Sequence, residues 1–221
     1  MAETNWTKTR NPTFDKEGAL RMDRIAKTAF KPIYPVIAQN AVHVTGKSKG
    51  RCLDMGTGPG MLALAMAKAA PGMAVTAFDF SDDALKIART NIREAGLEQQ
   101  VTTTAGDVHA MPFETGEFDL IVSRGSMFFW KDLKQAFAEI LRVLSPGGRT
   151  YIGGGFGSLD LKRHVIKEMA KIDPSWDCYA KKKSGDDGMK RFEKMFDELN
   201  CSSYQIIDDD TGFWIVLSAP A

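Results

Sequence analysis

The segment Cys52-Leu53-Asp54-Met55-Gly56-Thr57-Gly58-Pro59-Gly60 joins an apolar run, an acid and three alternating glycines, and the helix-like stretch Met61 to Ala70 follows at once. Such a chain leaves a strand, turns sharply and enters the first turn of a helix. Glycine lets the backbone approach a ligand because no Cβ intervenes. The free N–H groups of the first helical turn then favour a carboxylate or phosphate. The pattern predicts a small-molecule cofactor loop, with Asp54, Gly56, Thr57, Gly58 and Gly60 as its contact residues. Met61 stands where the dinucleotide fingerprint needs its third glycine, and no Gly-Lys-Ser/Thr follows, so a nicotinamide site and a Walker loop are both disfavoured.

Two further acids fall at the ends of strand-like runs. Asp79 closes Ala74-Val75-Thr76-Ala77-Phe78, where an acid suits a ribose diol, and Asp107 follows Val101-Thr102-Thr103-Thr104. Asp107 can accept from an exocyclic amine, while Val108 covers a purine face. Beyond the next strand-like run lies Ser123-Arg124-Gly125-Ser126-Met127-Phe128-Phe129-Trp130. Arg124 is either a satisfied corner or a fork for a carboxylate or similar oxyanion. Phe128 and Trp130 line an apolar pocket, meet a cation or simply pack. Tyr34 reads as part of a packed amphipathic helix. The run Gly153-Gly154-Gly155 reads as space or mobility near the reacting atoms.

The elements that must position these residues alternate between strand and helix signals, as a doubly wound sheet requires. Ser81 reads as an N-cap followed by Asp82 and Asp83, with Ala84, Leu85, Ala88 and Ile92 on one face and Gly96 as the stop. Leu133, Phe137, Ile140, Leu141 and Leu144 recur at helical spacing until Pro146-Gly147-Gly148, after which a strand is expected over 149–153. Helical patterns cover 161–172 and 189–199, and a charged loop with Lys181-Lys182-Lys183-Ser184-Gly185 lies between them. Tyr204 to Ile207 and Phe213 to Leu217 predict an antiparallel hairpin. Near the start, Ile25, Phe30, Ile33, Tyr34, Ile37 and Val42 make a helical face that Pro32 and Pro35 interrupt.

Taken together, Leu53 to Gly60, Phe78-Asp79-Phe80-Ser81, Gly106-Asp107-Val108, Phe118 to Ser123 and Leu141 to Gly148 resemble the ordered motifs of the class I S-adenosylmethionine-dependent methyltransferases. Within that family they resemble the small-molecule branch that includes the quinone-ring enzymes. The resemblance implies a Rossmann-like α/β fold with a seven-stranded sheet, S-adenosyl-L-methionine as cofactor and methyl transfer to a small-molecule acceptor. It places the methionyl part on the Gly56–Gly60 loop, the ribose on Asp79, the adenine on Asp107 and Val108, and adds Phe80 and Ser123 to the cofactor site. It also implies a helical lid over residues 1–45, which makes Tyr34 a candidate for contact with substrate or cofactor, ahead of a methyltransferase domain over 46–221. The Asn/Asp-Pro-Pro-aromatic motif of amino-group enzymes and the Pro-Cys nucleophile for cytosine are missing. No catalytic residue is assigned; His109, Tyr34 and Asp132 are the bases nearest by motif position. A noncatalytic sensor or partner subunit that binds S-adenosylmethionine or S-adenosylhomocysteine is the alternative.

The composition suits these readings. With 221 residues, 43% of them hydrophobic, one α/β core is expected. A formal net charge of +1 calls for no nucleic acid. No membrane span is expected, and the start of the chain has no signal-peptide core, so cytoplasmic residence is the expectation. Cys52, Cys178 and Cys201 lack metal-ligand spacing, as do His43, His109 and His164, so no metal is expected. Cys52 reads as a small buried hydrophobe.

Overall fold

Of the motif-bearing strands, those ending at Met55, Asp79 and Arg124 are each followed by a helix, and crossovers of this kind pair strands in parallel. A computed structural model describes residues 15–176 and 186–220. Cys178, Lys181 to Gly185 and the first residues of the chain lie outside them. Five strands run parallel: β1 (Lys49–Met55), β2 (Gly72–Asp79), β3 (Val101–Ala105), β4 (Phe118–Arg124) and β5 (Leu144–Gly155). A C-terminal hairpin, β6 (Tyr204–Asp209) with β7 (Gly212–Leu217), completes the sheet, and β7 pairs antiparallel with β5. The order is β3-β2-β1-β4-β5-β7-β6. Connections therefore leave β1 toward one edge and β4 toward the other, and the crevice where the order reverses opens at the carboxyl ends of β1 and β4.

Seven α-helices among the described residues cover the sheet: α1 (Lys16–Lys27), α2 (Ile33–Thr45), α3 (Met61–Ala69), α4 (Asp82–Glu94), α5 (Leu133–Val143), α6 (Leu159–Ile172) and α7 (Asp186–Glu198). One apolar layer joins α2, α3 and Val165 and Met169 of α6 to Cys52, Leu120, Val122 and Tyr151 on one sheet face. On the other face, Phe137 and Ile140 of α5 and Phe196 of α7 close over Leu53, Phe78, Ile121 and Ile215. The central helix α3 is short and alanine-rich, with Leu62 through Ala67 all buried, so small side chains let it lie close to the strands.

Three sequence expectations are corrected, and the C-terminal hairpin is borne out. The break near the start of the chain is the turn over residues 28–32; Pro35 sits in the first turn of α2, where its missing N–H has no intrahelical carbonyl to meet. Pro146-Gly147-Gly148 does not precede the strand but lies inside it. The register jumps from Phe118↔Leu144 to Leu120↔Arg149, and the resulting bulge is bound by the chain end, Gly147 N–H to Pro220 O and Ala219 N–H to Gly148 O. The hairpin turn is tight, with the pair Asp209↔Gly212 closing it. Finally, Gly153 to Gly155 leave no room for an acceptor: a Cβ would stand 1.9 Å from Phe213 O at Gly153, 2.7 Å from the Phe128 ring at Gly154 and 2.2 Å from Thr211 O at Gly155. The glycines are there because β7 and Phe128 press on β5.

Candidate functional site

Asp54, at the end of β1, anchors the glycine loop from below. Gly60 begins α3 with φ +83° and no side chain to cap it. Asp54 substitutes: its Oδ2 accepts from Thr57 Oγ1 at 2.6 Å, and the Ala63 N–H of the first helical turn also donates to it. Burial nevertheless dominates, and it pushes the Asp54 carboxyl up to about 7. At Gly58 the backbone is left-handed, φ +54°, and a Cβ would meet nothing within 4 Å, so this peptide faces open space.

Asp79 closes β2 beside that peptide. Its Oδ2 accepts from Gly58 N–H at 2.8 Å and its Oδ1 from Ser81 N–H at 3.0 Å. Burial raises its pKa above the ordinary carboxyl value, and these N–H groups oppose the rise. Phe80 follows with 59% of its surface exposed, a large apolar side chain at the rim. Across the rim, Asp107 Oδ1 accepts from His109 N–H at 2.9 Å and meets His109 Nδ1 at 2.5 Å. Those bonds lower the Asp107 carboxyl. His109 Nε2 accepts from Asp132 N–H at 3.2 Å, so the histidine ties the loop after β3 to the start of α5. Val108 is half-buried against the second apolar layer.

The remaining candidates divide between packing and opening. Ser123 is fully buried; its hydroxyl pairs with Ser126 Oγ at 2.6 Å, and Ser126 Oγ donates to Met55 O at 3.1 Å. This pair fastens the loop after β4 to the end of β1. Met127–Phe129 form a 3-10 turn, with Phe128 against Gly154 and Trp130 edge-on to Phe137 at 6.1 Å. Arg124 instead points toward α2: its guanidinium lies 4.4 Å from the Phe30 ring centre and 5.6 Å from that of Phe156, and Nε donates to Gly155 O at 3.2 Å. Tyr34 is buried nearby, and desolvation pushes its hydroxyl up to about 12 against the pull of Arg124. Asp132 caps α5 by accepting from Gln135 N–H at 3.0 Å.

Asn91 belongs to this site although spacing alone did not single it out. From the buried face of α4, its Nδ2 donates to Pro59 O in the glycine loop at 2.8 Å and to Asp23 Oδ1 of α1 at 2.9 Å. The available signal was a polar residue on the stripe formed by Ala84, Leu85, Ala88 and Ile92. Cys52 and Cys201 are buried free thiols, both raised by desolvation. Among the described residues no cluster of metal-ligating side chains occurs, and no helix is long and apolar enough to cross a membrane.

The glycine loop, β2 and the second half of β1 fall within residues 52–148, which match the family described as a methyltransferase domain. A Thermus thermophilus demethylmenaquinone methyltransferase is 39% identical over 106 residues, covering 48% of this chain and 47% of that protein. A malonyl-[acyl-carrier protein] O-methyltransferase of Geobacter sulfurreducens is 35% identical over 103 residues, covering 47% of this chain and 38% of its own length. The chain spans about half the length, or less, of the curated relatives it matches. A Methanococcus maripaludis protein provisionally described as an S-adenosyl-L-methionine-dependent methyltransferase, solved as a crystal structure, is 44% identical with a TM-score of 0.90; the alignment covers 100% of this chain and 98% of that one.

Proposed function

The chain belongs to the S-adenosyl-L-methionine-dependent methyltransferase family, and from that premise we propose that it transfers a methyl group to a small-molecule acceptor held at the carboxyl ends of β4 and β5. The observation that carries the reading is the clasp of Asp79 on the Gly58 peptide, with exposed Phe80 beside it and Asp107 across the rim. The residues fit the cofactor. Gly58 opens on free space, α3 begins on a glycine, and a buried acid stands at the end of β2.

The Gly56–Gly60 loop with Asp54 and Thr57 would hold the methionyl part, Asp79 the ribose hydroxyls, and Asp107, steadied by His109, the adenine amine between Phe80 and Val108. Ser123 acts at one remove, by fixing the loop through Ser126. When bound, the cofactor supplies a methyl already activated on a sulfonium. The chain's contribution is alignment and exclusion of water. Tyr34 keeps its proton at neutral pH, Asp132 is engaged as a cap and both His109 ring nitrogens are engaged. These groups suit an acceptor that needs no base to expose its lone pair. Relatives named for quinone methylation support a small acceptor; Arg124, Tyr34, Phe128 and Trp130 are its candidate contacts.

A labelled-methyl screen against thiols, phenols, quinones, carboxylates and metalloids tests the proposal, with Asp79→Ala as the companion variant. Turnover by the wild-type chain is expected. The variant should weaken cofactor binding by roughly 1.5–3 kcal/mol, the range for hydrogen bonds to a charged group. Tight cofactor binding with no turnover on any acceptor would make the chain a sensor or partner subunit instead.

A further inference from the structure

Arg124 lies at the carboxyl end of β4, where ligands of open α/β sheets bind, and its surroundings are built rather than incidental. Phe30, from the turn between α1 and α2, and Phe156, just after β5, flank the guanidinium at 4.4 and 5.6 Å. Trp176 closes the aromatic wall, 6.3 Å from Phe30 and 6.4 Å from Phe156. The single bond from Nε to Gly155 O fixes the plane of the fork. Among the described residues no carboxylate pairs with Arg124, and neither terminal nitrogen has a hydrogen-bond acceptor. Tyr34, which interacts electrostatically with Arg124, holds its proton. Arg124 is half-buried, and even partial withdrawal of an arginine from water without a counter-charge costs stability. Burial accordingly pulls its pKa below the ordinary arginine value.

We propose that Arg124 anchors the methyl acceptor, and that the acceptor carries a carboxylate on an aromatic or similarly flat apolar body. The inference rests on the methyl-transfer reading for its functional meaning, but its chemistry is local. The two terminal N–H groups of a fixed guanidinium match the two oxygens of a carboxylate, a geometry that lysine cannot copy. Phe30, Phe156 and Trp176 supply faces on which a flat apolar body can lie. Arg124 is thus a specificity-determining residue and not a participant in methyl transfer.

The test uses benzoate as probe and benzamide as its neutral isostere, titrated into the full chain saturated with S-adenosylhomocysteine and followed by ligand-observed magnetic resonance. The wild-type chain should bind benzoate at least tenfold more tightly than benzamide. Arg124→Gln should lose that preference, and Arg124→Lys should recover only part of it, since a point charge lacks the fork. Thermal melting and S-adenosylhomocysteine affinity report whether each variant is folded; should Arg124→Gln fail to fold, the Lys variant and the wild-type preference decide. Equal binding of benzoate and benzamide by the wild-type chain overturns the proposal, as does an undiminished preference in folded Arg124→Gln. Phenylphosphonate binding more tightly than benzoate overturns the carboxylate assignment. Failure of the chain to bind S-adenosylhomocysteine would count against the methyl-transfer reading alone, because the benzoate preference can be measured without it.

Discussion

Asp54 and Asp79 are both strand-end acids within one loop's reach, yet they are held differently. Asp79 offers both oxygens to backbone N–H groups at the rim, whereas Asp54 lies beneath the loop and rises to about 7 because burial outweighs the bonds from Thr57 and Ala63. A carboxyl raised in the folded chain binds a proton that the unfolded chain has already released between its ordinary value and about pH 7. Stability attributable to Asp54 therefore falls as pH increases through that window. Asp54→Asn keeps an acceptor for Thr57 and has no charge to bury. Its stability relative to wild type, followed by denaturant unfolding, should improve steadily from pH 4 to pH 7; a constant difference across that range would mean that Asp54 is ionised throughout. The acid-and-glycine pattern was legible at this scale because its chemistry is local in the chain. Asn91 and the aromatic frame of Arg124 were not, because an amide on α4 meets Pro59 and Asp23 only once distant helices are in place.

At the scale of elements, the parallel strands and the helices after them follow from alternation of apolar periods, and the C-terminal hairpin follows from two apolar runs across a polar turn. The role of Gly153 to Gly155 did not follow. Nothing near these glycines in sequence announces that β7 will pair with them, Gly153 opposite Trp214 and Gly155 opposite Gly212. Their requirement is set by a partner strand and not by their own neighbours. Gly153→Ala should accordingly destabilise the fold by about 1–3 kcal/mol, the range for overpacking, because its methyl would stand against the Phe213 carbonyl. Chemical denaturation checks this. A variant of unchanged stability but altered turnover would restore the reading of the run as open space. Pro146-Gly147-Gly148 carries the same lesson: residues that usually stop a strand are absorbed as a bulge because the chain end supplies carbonyl and amide partners.

Across the whole molecule, the order of the sheet fixes one crevice, and every cofactor candidate read from the sequence lies along its rim or supports it. How the first helix relates to that crevice was not legible, because its polar partners, Asn91 and Asp173, lie far along the chain. α1 buries only Ala19, Ile25 and Ala26. Beyond those it is held by two ties: Arg21 to Asp173 at 2.9 Å, mostly exposed, and Asp23 to Asn91. An exposed ion pair contributes about 0–1 kcal/mol, so the decisive tie is the partly buried one. We propose that α1 serves as the lid.

The Asn91 amide gives its two hydrogens to two different owners, one to the glycine loop and one to α1. Loop shape and helix docking are therefore linked equilibria, and linkage is reciprocal: whatever factor a docked helix adds to affinity at the loop, a ligand at the loop must return to the docking of the helix. Amide hydrogen exchange over Lys16–Lys27 should slow when saturating S-adenosylhomocysteine is added, and Asn91→Ala should abolish the slowing while leaving the helix itself intact. Equal exchange with and without ligand would mean that α1 is static. If the linkage holds, affinity for the spent cofactor depends in part on a bond between one side-chain amide and α1, a contact that involves no atom of the cofactor at all.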